Sequence, residues 1–297
     1  MRVYNEVQDF NLKASAVTLG KFDGIHLGHK KLISETIKAK KEMGLDTVLF
    51  SFDTSGIKKI QSITTKEERE LICEELDIDN IIFFPVNEDT MSIEPEEFIR
   101  KILIEKIKAK VVVTGKDFRF GKERRGNVDM LREFSKECGY KLIVVENVMD
   151  GNQRISSSNI KELIRRSEIT RANEMLGYSY FVYGSVVRGK QVGRTIDRRT
   201  VNIIPKENKI IPKNGVYKTV ITVGGKEYKS ITNIGECPTV RDDGGITIET
   251  HIFDFNEEIY DSKVKVSFEK FIREERKFDS LEELRNQISL DIAEANS

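Results

Sequence analysis

The chain has 297 residues, of which 38% are hydrophobic and 33% charged, and its 49 Lys and Arg are balanced by 49 Asp and Glu. That length suits one large domain or two of ordinary size, each with its own core, and the ordinary 20 Gly and 5 Pro exclude a collagen-like or low-complexity disordered chain. Zero formal charge argues against a general nucleic-acid coat or a polybasic membrane binder, which depend on a long-range field, but leaves room for a local phosphate site.

The first twenty residues have no apolar core of signal-peptide type. Ala16-Val17-Thr18-Leu19 reads as a short buried strand, Gly20 to His29 as a loop, and Lys30 to Met43 as a helix with Leu32, Ile33 and Ile37 on its apolar face and Gly44 at its C-terminal stop. Thr47 to Phe52 is the next strand, Glu67 to Leu76 a charged helix, and Ile81 to Phe84 a strand. Pro95 opens a helix over Glu96 to Ile107. Val111 to Thr114 and Leu142 to Val145 are further strands. Continuous apolar strands separated by helices indicate a parallel sheet covered on both faces, an α/β Rossmann-like domain with ligands beyond the carboxyl ends of its strands.

The pattern changes near Gly177. Phe181 to Val187, Val216 to Val223, Gly245 to Phe255 and Val264 to Phe268 are β-branched segments punctuated by turn residues, with Gly224-Gly225 as a hairpin turn. They predict a small antiparallel β-barrel. A C-terminal helix closes the chain, with Ser280 and Glu283 as a capping box and Leu281, Leu284, Ile288 and Ile292 as an apolar stripe. Two domains are expected, 1–178 and 179–297. No run reaches the roughly 18 apolar residues of a membrane span. Cys73, Cys138 and Cys237 are far apart and form no CxxC pair, so a reduced, cytoplasmic protein without nucleic-acid or membrane partners is expected.

Two of the three histidines fall within four residues, in Gly20-Lys21-Phe22-Asp23-Gly24-Ile25-His26-Leu27-Gly28-His29. Gly24 and Gly28 allow backbone to approach a phosphate, the following helix offers unpaired N–H groups, and imidazoles at i and i+3 can both face the anion. The plainer alternative is a glycine-rich turn whose histidines cap the helix.

His26-Leu27-Gly28-His29 fits the HxGH signature of nucleotidyltransferases, and the stretch Leu19 to His29 resembles, more narrowly, the bacterial bifunctional riboflavin kinase/FAD synthetases. Thr114-Gly115-Lys116-Asp117-Phe118-Arg119-Phe120-Gly121 is similar to that family's G-x-D/N-F-R-F-G loop, and Arg154-Ile155-Ser156-Ser157-Ser158-Asn159-Ile160 to its R-I-S-S-T-x-I segment. The resemblance implies adenylyl transfer, in which the FMN phosphate attacks the α-phosphate of ATP and pyrophosphate leaves. It implies that His26 and His29 stabilise the ATP phosphates, with Gly20, Phe22, Asp23, Gly24, Gly28, Arg154, Ser156, Ser157 and Ser158 also binding nucleotide. Asp117 and Phe120 would lie by the flavin. Lys122 to Arg125 would be a flap, or simply a solvated charged loop. The family usually has a Phe-x-Pro-His-Pro turn after its second strand. This chain has Phe52-Asp53-Thr54-Ser55-Gly56, and Lys161 replaces a usual arginine.

In the second half, Gly184 to Gly189 and Gly193-Arg194-Thr195 resemble the opening of riboflavin kinases. Where the family reads G-F-P-T-A-N, this chain reads Asp197-Arg198-Arg199-Thr200-Val201-Asn202. Thr200 and Asn202 match the residues that organise Mg²⁺ and the ATP phosphates. The likeness returns at Gly215-Val216-Tyr217, Asn233-Ile234-Gly235, Pro238-Thr239 and Ile248 to Phe255, and Phe271-Ile272-Arg273 with Lys277-Phe278 match the family's closing segment. Glu249 then matches the general base on the ribityl hydroxyl, and His251 is read as structural. The expected function is phosphorylation of riboflavin to FMN and adenylylation of FMN to FAD, with ATP and Mg²⁺. The alternative is an FAD synthetase whose barrel is a weak kinase or a flavin-binding scaffold.

Overall fold

The apolar runs of the first half form a six-stranded sheet. Its strands are β1 (Arg2–Tyr4), β2 (Ser15–Gly20), β3 (Asp46–Asp53), β4 (Asn80–Pro85), β5 (Ala109–Gly115) and β6 (Lys141–Val145), in the order β1-β4-β3-β2-β5-β6. Every pairing is parallel. Val17, Val48, Ile82 and Val112 are fully buried, as central strands covered on both faces require. The covering elements are α1 (Leu27–Met43), α2 (Lys66–Glu75), the short α3 (Glu88–Met91), α4 (Pro95–Glu97) running into a π-helix (Phe98–Lys106), and α5 (Val128–Cys138). A small hairpin, β7 (Met149–Asp150) and β8 (Gln153–Arg154), follows.

The computed structural model describes residues 1–5, 12–57, 60–187, 200–237 and 245–296. The chain divides into two units, Met1–Ser157 and Ser158–Ser297. In the first, the strand order reverses beside β2, with β3 on one side and β5 on the other. The loops leaving the carboxyl ends of β2 and β5 therefore meet at the switch point, where open α/β sheets bind ligands.

Two helices differ from the sequence reading. α1 starts at Leu27, not Lys30, because the chain becomes helical inside the histidine loop. This puts Gly28 and His29 in its first turn. The segment expected as one α-helix over Glu96 to Ile107 winds as a π-helix from Phe98, and the Ile107 N–H donates to the Ile102 carbonyl at 2.9 Å. Its buried residues, Phe98, Ile99, Ile102, Leu103 and Ile107, recur at four and five positions, which suits the wider turn.

The second unit opens with α6 (Ser157–Arg165, whose first residue belongs to the first unit) and α7 (Ile169–Leu176). The closed barrel follows: β9 (Phe181–Val187), β10 (Thr200–Ile203), β11 (Gly215–Val223), β12 (Lys226–Cys237), β13 (Gly245–Ile252) and β14 (Lys263–Arg273), ordered β10-β13-β12-β11-β14-β9 and antiparallel throughout. Gly224 and Gly225 both have positive φ, 56° and 82°, as a two-residue hairpin turn of primed type needs. The interior includes a run of buried hydroxyls, Ser230–Thr219–Thr232–Thr250, linked by hydrogen bonds of 2.8 to 2.9 Å.

α8 (Leu281–Asn296) packs on β11, β12 and β14. Ser280 Oγ accepts from the Glu283 N–H at 3.1 Å. The return bond from Glu283 goes to the Asp279 N–H at 3.3 Å, one residue before the position a capping box would use. The stripe residues Leu284, Ile288 and Ile292 are only half-buried. The buried residues of the helix include Ala295 and Asp291, the latter gripped by Arg273 through two bonds of 2.9 and 2.7 Å.

Candidate active site

β2 ends at Gly20 and the chain must turn sharply into α1. The turn uses left-handed backbone at Phe22 (φ 48°), Gly24 (φ 84°) and Ile25 (φ 35°). At Gly24 a Cβ would lie 2.9 Å from the Ile63 side chain, so glycine is required by space as well as by dihedral. For Phe22 and Ile25 the conformation is strained and must be held by its surroundings. Asp23 does part of the holding: its Oδ1 accepts from the Ile63 and Thr64 N–H groups at 2.7 and 3.2 Å. The Gly24 N–H donates to Thr64 Oγ1 at 3.0 Å, and Ser157 Oγ donates to the Asp23 carbonyl at 2.8 Å.

This turn delivers the two imidazoles face to face. The His26 and His29 rings stack at 3.8 Å with an interplanar angle of 19°, and Phe22, itself fully buried, packs on His29 at 5.0 Å. Gly28 permits the stack, since a Cβ there would lie 3.0 Å from His26 Cε1. His26 is the N-cap of α1 but its side chain makes no capping hydrogen bond, which removes the plain capping explanation. The Nδ1 atoms of both rings are buried without a hydrogen-bond partner. Burial pushes the His26 pKa down to about 4, with Arg154 pushing the same way and Asp23 opposing. Burial, His26 and Arg154 together hold His29 well below the usual histidine range. Both rings are therefore neutral at pH 7. Two buried, unpartnered ring nitrogens beside a helix N-terminus form a place where an anion gains hydrogen bonds that the free protein lacks.

The loop after β5 is tied to the histidines through Arg154, whose charge both rings feel. Asp117 Oδ2 accepts from Arg154 Nη1 at 2.5 Å and Asn147 Nδ2 at 2.8 Å. Phe120 is buried, stacked on Phe118 at 5.6 Å and 15°, and packed on Phe98 at 5.3 Å. Half-buried Phe52 and Phe118 lie 6.0 Å apart and extend this aromatic wall to the end of β3. Ser156 and Ser157 are half-buried and Ser158 exposed, at the start of α6. The Lys122 to Arg125 stretch is exposed, and Lys122 and Arg125 both pair with Glu94.

In the barrel, Ile248 and Thr250 are fully buried, so Glu249 between them faces outward. It pairs in register with Asn202 on one side and Asn233 on the other, giving a polar row across three strands. Thr200 Oγ1 donates to Glu249 Oε1 at 2.5 Å. Asn233 Nδ2 donates to Glu275 Oε1 at 3.0 Å. Thr200 and Asn202 of β10 are thus brought to Glu249 of β13, some distance away in sequence. The Gly189, Gly193 to Thr195, Asp197 to Arg199 and Pro238-Thr239 positions lie outside the described residues.

A family model of FAD synthetase matches residues 9–159, and one of riboflavin kinase matches residues 176–297. The chain belongs to the bifunctional riboflavin kinase/FMN adenylyltransferase family. It is a riboflavin kinase and FMN adenylyltransferase, making FMN and FAD. The family member of Buchnera aphidicola subsp. Schizaphis graminum (strain Sg) is 35% identical over 94% of this chain and 92% of its own. That of Bacillus subtilis (strain 168) is 33% identical over 95% and 91%. A crystal structure described as a macrolide-efflux protein from Streptococcus pneumoniae matches with a TM-score of 0.87 and 27% identity, over 99% of this chain and 98% of its own. That description belongs to that protein. Among the described residues here, no helix is long and apolar enough to cross a membrane.

Against the family pattern, the end of β3 is the place where sequence reasoning missed most. Asp53 is buried and holds Lys66 Nζ at 2.8 Å, Arg69 Nη2 at 3.6 Å and the Ser55 N–H and hydroxyl at 3.1 and 2.8 Å. Burial opposes its charge, but the Lys66 and Ser55 hydrogen bonds win and hold its carboxyl below the ordinary range. A charged cluster thus stands at Asp53, immediately before Thr54-Ser55-Gly56, the residues compared with the family's Pro-His-Pro. Asn147 also joins the site from outside the motifs quoted from the sequence, while Phe52 and Phe118 lie within such stretches but carry no assigned role there.

Proposed function

We propose that the two reactions divide between residues 1–178, for adenylyl transfer, and 179–297, for riboflavin phosphorylation. In the first, a phosphate oxygen of FMN attacks the α-phosphorus of ATP in line and pyrophosphate departs. Such a displacement needs positioning and neutralisation of charge more than covalent help. His26 and His29 face the polyphosphate. A nearby anion reverses the burial penalty on an imidazolium, so the rings donate N–H groups, or take up a proton, as charge develops on the leaving group. The first-turn N–H groups of α1 act in the same direction. Arg154 adds a fixed positive charge, oriented by Asp117. Ser156, Ser157 and Ser158 offer hydroxyls at the start of α6. Gly20, Gly24 and Gly28 keep the loop close, while Phe22 and Asp23 shape it from within. Phe120, with Asp117, borders the flavin. The observation that carries this reading is the stacked pair of neutral, unpartnered histidines at the switch point.

In the barrel, Glu249 accepts the proton of the ribityl 5′-hydroxyl as that oxygen attacks the γ-phosphorus of ATP. Its hydrogen bond from Thr200 fixes the carboxylate's direction. The hydroxyl of Thr200 and the amide oxygen of Asn202 are hard oxygen donors suited to Mg²⁺. The described residues hold no group of three His, Cys, Asp or Glu that could cage a metal, and a cation that keeps its waters and shares phosphate oxygens needs none. When bound, Mg²⁺ supplies neutralisation of the phosphate charge. The ligands are riboflavin, FMN, ATP and FAD. Cys73 and Cys138 are free thiols, which fits a reduced, cytoplasmic setting. The test is purified protein with riboflavin, ATP and Mg²⁺, with products resolved as FMN and FAD. Accumulation of both supports the division, and absence of either removes the corresponding half.

A further inference from the structure

The strained turn at Phe22 is held at its entrance by groups that lie outside the histidine loop. The Lys21 carbonyl, the last polar group before Phe22, accepts from Ser51 Oγ at 2.9 Å and, more distantly, from Arg69 Nη1 at 3.5 Å. Arg69 Nη1 also donates to Ser51 Oγ at 2.9 Å. The serine hydroxyl is therefore directional: it accepts from the guanidinium and must donate to the carbonyl. Ser51 is fully buried, and Arg69 is 4% exposed. Arg69 is itself fixed by Asp53 Oδ1 at 3.6 Å and by the Phe83 ring, whose centroid is 5.0 Å from its Cζ. Charged groups buried this deeply need a full set of partners. Here one of those partners is the backbone that leads into the catalytic loop.

We infer that Ser51 and Arg69 are positioning residues for adenylyl transfer: through the Lys21 carbonyl they hold the left-handed turn at Phe22, and with it the ring that packs on His29. A bulky residue at φ 48° persists only where its neighbours over-determine it. Asp23 and Gly24 are tied to Ile63 and Thr64 on the far side of the turn, and Ser51 and Arg69 supply the tie on the near side. The inference rests on the proposed role of His26 and His29 at the ATP phosphates. A misplacement of about 1 Å at such a site costs on the order of a hundredfold in rate.

The test is Ser51→Ala, which removes one oxygen from a β-strand. Three measurements are taken: FMN adenylylation, riboflavin phosphorylation, and the imidazole resonances of protein labelled at its three histidines. A ten- to hundredfold fall in adenylylation kcat is expected, with the kinase rate within twofold of the parent and the His29 ring resonances displaced as Phe22 moves. Adenylylation within twofold of the parent overturns the inference, as does a lost rate with His29 resonances unmoved. Arg69→Met is the second variant and should reproduce the pattern. If it fails to fold, Ser51→Ala still decides. His29→Ala run alongside separates the two levels. If His29→Ala retains adenylylation, the role assigned to the histidines is wrong. If it loses adenylylation while Ser51→Ala keeps it, only the positioning inference falls.

Discussion

His26 and His29 show how burial sets the chemistry of single residues. An imidazole with an unperturbed pKa near 6.5 is half-charged close to neutrality, but burial lowers the pKa of both, and the neighbouring Arg154 pushes the same way. The pH consequence has a definite sign. The His26 pKa is lowered to about 4 when folded, so above about pH 6.5 neither state binds a proton and stability is flat. As pH falls from 6.5 towards 4, the unfolded state binds protons that the folded state refuses, and stability drops by on the order of 1 kcal/mol per unit from this group alone. His29 adds a decline of the same sign. Urea unfolding between pH 7 and 5, above most carboxylate titration, should show this decline in the parent and a shallower one in His26→Asn. Equal slopes would mean that the ring is not buried in its neutral form.

At the scale of elements, what was legible in the sequence follows from which groups each strand buries. β2, β3, β4 and β5 are buried on both faces and read as apolar runs. β1 is three residues with two exposed and gives no such signal. Much of β12 is invisible for another reason: the barrel interior accepts Ser230 and Thr232 as hydroxyls, so inward positions there look polar. The histidine loop was legible because its residues are local. Ser51, Asp53 and Arg69 are not, since Arg69 of α2 meets the two β3 residues, and Ser51 meets Lys21, only in the folded chain. The C-terminal helix reads as an apolar stripe, but it is also anchored by buried Asp291 held by half-buried Arg273. Asp291→Asn removes a charge-assisted pair of hydrogen bonds and should cost about 1.5 kcal/mol, seen as a lower urea midpoint for the barrel. A change below 0.5 kcal/mol would return the helix's docking to Leu284, Ile288 and Ile292.

For the whole molecule, the chain carries two reactions, and if they use separate sites as proposed, departures from the family pattern should act on one reaction at a time. Asp197, Arg198 and Arg199 stand where the family has Gly, Phe and Pro, directly before Thr200. If this stretch meets ATP as in the family pattern, a carboxylate there would repel the phosphates unless an arginine pairs with one of them, and the sequence lacks the family's aromatic and proline. The kinase step is expected to have a lower kcat/KM than adenylylation. Restoring Gly, Phe and Pro together should raise it and leave FAD formation from FMN unchanged. A parent kinase as efficient as adenylylation, falling on replacement, would show that the loop is adapted to its charges.

The division of labour is tested most directly by mixing two damaged proteins. His29→Ala should make FMN from riboflavin but lose FAD formation, since removing one preorganised group on developing charge costs roughly 10²–10³ in rate. Glu249→Gln keeps the shape of the base but cannot take the proton, so it should make FAD only when given FMN. Each alone, supplied with riboflavin, ATP and Mg²⁺, should yield almost no FAD. Mixed in equal amounts they should restore FAD production as FMN released by one is consumed by the other. Loss of both activities in either variant, or a mixture that makes no FAD although each retains its remaining step, would contradict two independent sites.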